Sequence, residues 1–419
     1  MAENESTTQI TNDPFAAVRV TEYRNLVLGR FFFIMALRMM STMVGWWIYE
    51  LTNDPFAIGL IGLSEVIPAL SMALYSGHVI DISEKRNLLL KTTFFYLCAA
   101  GALLFLSTPW VSENVEAKHI SWGIYAVIFV TGIIRSFTGP NFTALIGTIV
   151  PRPLLQNATT WSQGSWLSAS VTGHAAGGFL IAFVGLTGTM IVICSLMTIA
   201  FLTLTQLKPK PVLQKMGEGR TWESVREGLR FVYKTKELLG AFALDMFAVL
   251  FGGAVAMVPV YARDILKIGP VGFGWLNAAA DIGSIIVVIL LTLSPLKHSQ
   301  GKKLFFAVAG FGLCIVIFGV SKWFALSFAA LMLAGMLDGI SVVIRGTVMQ
   351  LKTPDHLRGR VGSVSSMFVN SSNELGQFES GLMAKLMGVV PSVVFGGCMT
   401  IGVAIVTWFK LPRLKKFEY

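Results

Sequence analysis

Residues 132–178 read GIIRSFTGPNFTALIGTIVPRPLLQNATTWSQGSWLSASVTGHAAGG, and residues 335–381 read GMLDGISVVIRGTVMQLKTPDHLRGRVGSVSSMFVNSSNELGQFESG. At an offset of 203 the two align without a gap, with Gly132/Gly335, Pro151/Pro354, Leu154/Leu357, Ser162/Ser365, Gly173/Gly376 and Gly178/Gly381 identical. Each identity holds the same place in a span, loop, span unit, and Arg135 of the first copy is in register with Asp338 of the second. Such a chain reads as two similar halves, parallel repeats about an axis along the membrane normal.

The composition agrees. Of 419 residues 54% are apolar and 13% charged, against ~25% charged in soluble proteins, which excludes an ordinary cytosolic enzyme, a disordered chain, a coiled coil and a disulfide scaffold. Apolar runs long enough to cross a bilayer fall at 26–50, 56–80, 88–108, 121–149, 160–185, 187–207, 238–262, 270–294, 304–321, 323–350, 360–386 and 388–409. The expected fold is an all-α integral membrane protein, twelve transmembrane helices in two six-helix pseudo-symmetric bundles. Its parts are an N-terminal tail (1–25), a first bundle (26–207), a linker (208–237), a second bundle (238–409) and a basic tail (410–419). The first 25 residues are polar and acidic, unlike a cleaved signal.

Lys and Arg number 33 against 23 Asp and Glu, a net charge of +10. Sorted by span, 24 of the 33 lie on one side, five on the other, and Arg30, Arg38, Arg135 and Arg345 lie inside spans. Short basic loops stay in the cytoplasm, so both termini and the linker are expected there. The basic excess is then a topology signal and needs no nucleic acid. Charges inside spans cost ~2.5–3.5 kcal/mol each at a helix centre. They occur in spans 1, 2, 4, 7, 8, 10 and 11, whereas spans 3, 6, 9 and 12 each hold one Cys (Cys98, Cys194, Cys314, Cys398) and no internal charge. Every third helix therefore suits lipid. The cysteines read as small core residues, and no CxxC or Cys/His spacing points to a metal or a redox site.

The loop after span 2, Gly77-His78-Val79-Ile80-Asp81-Ile82-Ser83-Glu84-Lys85-Arg86, resembles the signature loop of the major facilitator superfamily. In that family the Asp and the basic pair latch the halves on the cytoplasmic face, so Gly77, Asp81, Lys85 and Arg86 are the implied latch, one-sided because Pro295–Lys303 lacks the Asp. Arg135-Ser136-Phe137-Thr138-Gly139 is similar to the family's Arg-x-x-x-Gly motif. Gly173-His174-Ala175-Ala176-Gly177-Gly178 looks like the antiporter motif with His174 in place of proline, its Gly173, Gly177 and Gly178 serving helix packing. Trp222–Tyr233, Asp245 and Gly359-Arg360-Val361-Gly362 resemble the enterobactin-exporter and macrolide-efflux branch of drug:proton antiporters. The resemblance implies helices 1, 4, 7 and 10 around a cavity, 2, 5, 8 and 11 between halves, and 3, 6, 9 and 12 outermost. The segment 221–236 reads as an amphipathic surface helix with Trp222, Val225, Leu229 and Val232 on its apolar side.

Intramembrane ionisable groups usually mark a pathway, so Arg38, Arg135, Asp245, Asp338, Arg345 and Glu374 are the candidates for cavity charge or proton coupling; the alternative is buried ion pairs holding the bundle. Arg135 and Asp338 are expected to pair across the cavity, or with Arg38 and Asp245. Asn370, Asn373, Glu374 and Gln377 recur at i, i+3, i+4 and i+7, a polar stripe for substrate or for hydrogen bonds between halves. Trp166 and His174 are further substrate-contact candidates, and Glu65, Asp281 and Glu379 are weaker ones that pair locally. Trp46, Trp47, Trp110 and Trp122 suit an interfacial belt.

No Walker-type Gly-x4-Gly-Lys-Ser/Thr, HExxH or nucleophile elbow occurs. The expectation is a non-enzyme without cofactor: a monomeric multi-pass protein of a bacterial cytoplasmic (inner) membrane, with protons, membrane lipids and a small-molecule substrate as partners. It would export a small organic molecule, a drug or siderophore, by proton-coupled alternating-access antiport. A lysophospholipid flippase, a proton-coupled uptake symporter and a non-transporting membrane sensor are the alternatives.

Overall fold

Within a bilayer only a helix or a closed barrel satisfies every backbone N–H and C=O, and the described residues fold as helices and their connections. The computed structural model describes residues 13–209, 221–294, 299–354 and 357–418, apart from the side chains at 73, 74, 78, 81, 221–225 and 254. The long elements are α1 (Thr21–Thr52), α2 (Pro55–Ile82), α3 (Lys85–Leu106), α4 (Ala117–Ile149), α5 (Leu155–Thr205), α6 (Thr221–Lys234), α7 (Lys236–Phe251), α8 (Gly269–Leu293), α9 (Gln300–Val320), α10 (Phe324–Lys352), α11 (Arg358–Met387) and α12 (Val389–Lys410). Their starts are written locally. Asp54 accepts from Phe56 N at 3.0 Å with Pro55 opening α2, and Glu84 accepts from the backbone N of Arg86 and Asn87 to cap α3.

Among the described residues, ten helical segments are long and apolar enough to cross a membrane. Two elements account for the distance from the expected count. α5 runs 51 residues, but Gly185 inside it has φ 71° and ψ −174°, a conformation open essentially to glycine alone. Two rods therefore meet there without a loop, where the apolar runs predict one span to end at 185 and the next to start at 187. α11 spans 30 residues and falls below the apolar threshold because of its polar stripe. The expected continuous span 238–262 is also interrupted: α7 ends at Gly252 and continues as a 3-10 turn (Gly253–Met257), a helical turn (Val258–Val260) and a π-turn (Tyr261–Ile265). Gly253 sits where a Cβ would come within 2.5 Å of the Gly376 backbone, so the break lets this segment press on α11.

Helices α1–α5 form one packed group and α7–α12 a second, joined along α2 against α11 and α5 against α8. A Cβ at Gly178 would lie 2.4 Å from Pro270 O and 2.8 Å from the Gly274 Cα, and one at Gly59 3.1 Å from the Gly381 Cα. These glycines let the groups touch backbone to backbone. Within the first group, Gly173 and Gly177 lie against Arg38 and Met39 of α1.

The face that holds the chain's ends brings Lys208 N to Glu22 at 3.1 Å and Gly301 N to Phe417 O at 3.0 Å; we call it the terminal face. One buried apolar cluster crosses between the groups nearer the opposite face, with Trp46, Met257, Tyr261, Phe273 and Val393 among its members. A second, with Leu238, Phe242, Ile344, Val348 and Leu414, stays inside the second group toward the terminal face. Trp46 and Trp47 are buried in the first cluster, Trp46 with its ring 5.5 Å from Phe273, which corrects their expected place in an interfacial belt; Trp110 and Trp122 are exposed. On α6 Val232 is buried and Leu229 exposed, so these two residues do not share one buried face; Trp222 and Val225 lie outside the described side chains.

Candidate functional site

A cavity of about 640 Å³ opens between the two groups, the size of a small-molecule site. α1, α2, α4, the first rod of α5, α7 with its continuation, α8, α10 and α11 line it, while the second rod of α5 and α12 contribute nothing. Of the helices expected to suit lipid, α3 and α9 also reach the wall, with Tyr96 and Phe311.

Arg135 of α4 is the hub. Its Nη1 pairs with Glu65 of α2 and, 2.7 Å away, with Oε1 of Glu374 of α11. Glu374 is buried, and its Oε2 has no hydrogen-bond partner among the described residues. One guanidinium thus holds a carboxylate from each group. A second link crosses at α5 and α8: Ser170 Oγ donates to Asp281 Oδ2 at 2.5 Å, His174 Nε2 lies 3.7 Å from the same oxygen, and His174 Nδ1 is 2.7 Å from Thr42 Oγ1 of α1. In both links a carboxylate of the second group rests on donors of the first.

Other expected partners are apart. Arg135 and Asp338 both line the cavity but do not pair, and Asp338 has no hydrogen bond or ion pair among the described residues. Repeat-related positions stand on opposite walls, and a shared depth does not bring side chains within reach. Asp245 does not line this cavity; it forms an ion pair with Arg345 inside the second group, their side chains 7% and 9% exposed. Arg38 meets no carboxylate within ion-pair distance among the described residues, its guanidinium lying 5.2 Å over the Trp166 ring. Trp166, His174, Asn373 and Gln377 line the cavity, whereas Asn370 is exposed and outside its wall.

Glu65 and Asp281 are more than local partners, since each belongs to a link that joins helices. A signal for Asp281 was available: Asn277, Ala280, Asp281 and Ser284 all line the cavity, and their spacing makes one stripe on α8 as on α11. Glu65 carries no such pattern. In the expected latch loop, Arg86 Nη2 donates to Thr205 O at 2.7 Å within the first group, Lys85 O accepts from Asn141, and Gly77 is exposed. The Asp81 side chain lies outside the described residues. Among the described residues no group of three or more His, Cys, Asp or Glu is placed to hold a metal ion.

Known proteins bear on this geometry. The model of the transmembrane secretion effector family matches residues 12–419. The chain is 22% identical to the multidrug efflux pump Tap of Mycolicibacterium fortuitum, over 89% of this chain and 91% of that one. It is 24% identical to the enterobactin exporter EntS of Escherichia coli, over 94% and 93%. Among solved structures it is similar to a POT family transporter in complex with 5-aminolevulinic acid (TM-score 0.73, 12% identity, 94% and 96% covered) and to the nucleoside transporter NupG (TM-score 0.68, 14%, 94% and 99%). With a central charged cavity between two helix groups and a family match over nearly its whole length, the chain is a multi-pass membrane transporter of the major facilitator superfamily and belongs to the transmembrane secretion effector family.

Proposed function

We propose that this transporter exports a small organic molecule by alternating access, with protons moving inward as substrate moves out. The two cross-group carboxylate seats carry this reading: Glu374 on Arg135, and Asp281 on Ser170 with His174 beside it. A proton added to either carboxylate removes the charge that holds one group to the other. Substrate entering the same cavity competes for the same donors, so proton and substrate favour different arrangements, and a ligand shifts an equilibrium only through such differential contacts. The relatives' names as pump and exporter support the direction.

Counting both rods of α5 and adding α11 gives twelve spans, six per group, with the linker 208–237 between them. Both termini and the linker face the cytoplasm of a bacterial inner membrane, and the monomer is the working unit. Reconstitution tests the mechanism. In proteoliposomes of the full chain, an imposed pH gradient is expected to drive flux of an effluxed dye or catecholate, with Glu374→Gln and Asp281→Asn lowering gradient-driven flux about tenfold or more, as for loss of one charged hydrogen bond. Flux that ignores the gradient, or double variants that behave as the parent, sinks the antiport mechanism. Flux of lysophospholipid alone would point to a flippase.

A further inference from the structure

Beside the central cavity, between α7, α9 and α10, lies a second space of about 10 Å³ lined by Asp245, Phe311, Leu337, Asp338 and Ser341. That is about the room of one water molecule. Asp338 and Phe311 line both this pocket and the central cavity. Two polar groups here lack partners among the described residues: Ser341 is 3% exposed and its Oγ makes no hydrogen bond, and Asp338 has neither a hydrogen bond nor an ion pair. Asp245 also lines the pocket, and Nη1 of the buried Arg345 is taken up by its ion pair with Asp245. Asp338, Ser341 and Arg345 stand at i, i+3 and i+7 on α10 and so on one face of it. Buried waters typically make two to four hydrogen bonds to such otherwise unsatisfied groups.

We propose that this pocket holds one ordered water, bound by Asp245, Asp338 and Ser341, and that it makes Asp338 the carboxylate that takes the transported proton from cavity water, ahead of the Glu374 and Asp281 seats. This rests on the antiport reading above. The other acids of the two pockets are already committed: Glu65 and Glu374 to Arg135, Asp281 to Ser170, and Asp245 to Arg345. Protonating any of them removes the charge that strengthens its bond to that partner. Asp338 loses no bond, because the water donates to its carboxylate oxygen when it is charged and accepts from its O–H when it is neutral. The Ser341 hydroxyl rotates to supply the complementary donor or acceptor in each state. A proton from cavity water forms the O–H bond on Asp338 and leaves by breaking it, with Asp245 unchanged throughout. The charged and titratable groups that share the two pockets with Asp338 are Arg30 and Arg38 from α1, Glu65 from α2, Tyr96 from α3, Arg135 from α4, His174 from α5, Asp245 from α7, Asp281 from α8 and Glu374 from α11; α9 brings only Ala307, Val308 and Phe311.

Infrared difference titration of the reconstituted full chain tests the water site apart from transport. One titrating carboxylic acid C=O band is expected to vanish in Asp338→Asn, to shift its midpoint by about one pH unit or more in Ser341→Val, and to return to the parent midpoint in Ser341→Thr, which keeps the hydroxyl. A difference spectrum that Asp338→Asn leaves unchanged, or a Ser341→Val protein titrating like the parent, overturns the proposal. Gradient-driven flux in the same vesicles reports on the antiport reading separately: an intact Asp338 band without gradient-driven flux would remove that reading and leave the proton site standing.

Discussion

The two faces of the molecule are held together differently. At the face opposite the termini the contacts cross between groups: Tyr49 donates to Asp264, Arg263 Nη1 donates to Tyr49 O at 3.3 Å, and Lys385 Nζ lies 3.6 Å from Asp54 and 4.7 Å over the Phe56 ring. The close approaches at Gly59/Gly381 and Gly178/Gly274 lie on that side too. At the terminal face, bonds among the described residues lie within a group: Arg86 with Thr205 and Lys208 with Glu22 in the first, Lys352 with Glu237 and Ser299 with Glu418 in the second. The buried apolar clusters divide the same way. Among the described residues the named bonds between groups thus gather at the face opposite the termini, and that clasp holds this arrangement.

Four substitutions break or sharpen this contrast, read by the rate at which an impermeant thiol reagent added on the opposite face labels Asn277→Cys in a chain whose four native cysteines are replaced. Arg135→Ala is expected to act most strongly, because it leaves the buried Glu374 without its guanidinium; loss of one member of a buried pair costs about 3–5 kcal/mol. Since Arg135 is itself 42% exposed on its side chain, an effect near about 3 kcal/mol is expected, seen as a lower melting temperature and a redistribution of labelling between faces. Next, Gly178→Leu drives a side chain into Pro270 and Gly274; overpacking of about 1–3 kcal/mol is expected to raise labelling from the opposite face roughly tenfold. Tyr49→Phe removes one cross-group hydrogen bond worth about 1 kcal/mol, a few-fold rise. Lys385→Ala comes last. Its pair with Asp54 is half-exposed, at 54% and 39%, so about 0–1 kcal/mol is expected, vanishing in high salt. Lys352→Ala, on the terminal face, is the control and should leave labelling unchanged. If it raises labelling as much as Tyr49→Phe does, the contrast between faces is wrong.

Sequence periodicity and hydropathy revealed the spans because each is a local property. The join near residue 185 was legible even where the helix carries on past it, and α11 was found as the apolar run 360–386 although its stripe of Asn373, Glu374 and Gln377 lowers its hydropathy. Partner choice was not legible. Arg135 with Glu65 requires α2 packed on α4, and Arg345 with Asp245 requires α7 placed between α10 and α11; neither follows from spacing along one helix. The repeat brought Arg135 and Asp338 into register, but register across an internal symmetry relates equivalent places, not touching ones. Glu84 shows the reverse case. Its side chain caps α3, a local role that spacing explains once the helix start is known.

The corner at Gly185 has a mechanical consequence. Because the two rods of α5 meet at one residue with no intervening loop, the outer rod has no slack to absorb movement of the inner one. Any tilt of the rod that carries Ser170 and His174 is passed to the lipid-facing rod as a lever, and the surrounding bilayer feels the transport cycle there. Turnover should therefore respond to acyl-chain length, and inserting a flexible glycine-serine segment after Gly185 should weaken that dependence while leaving the cavity residues where they are.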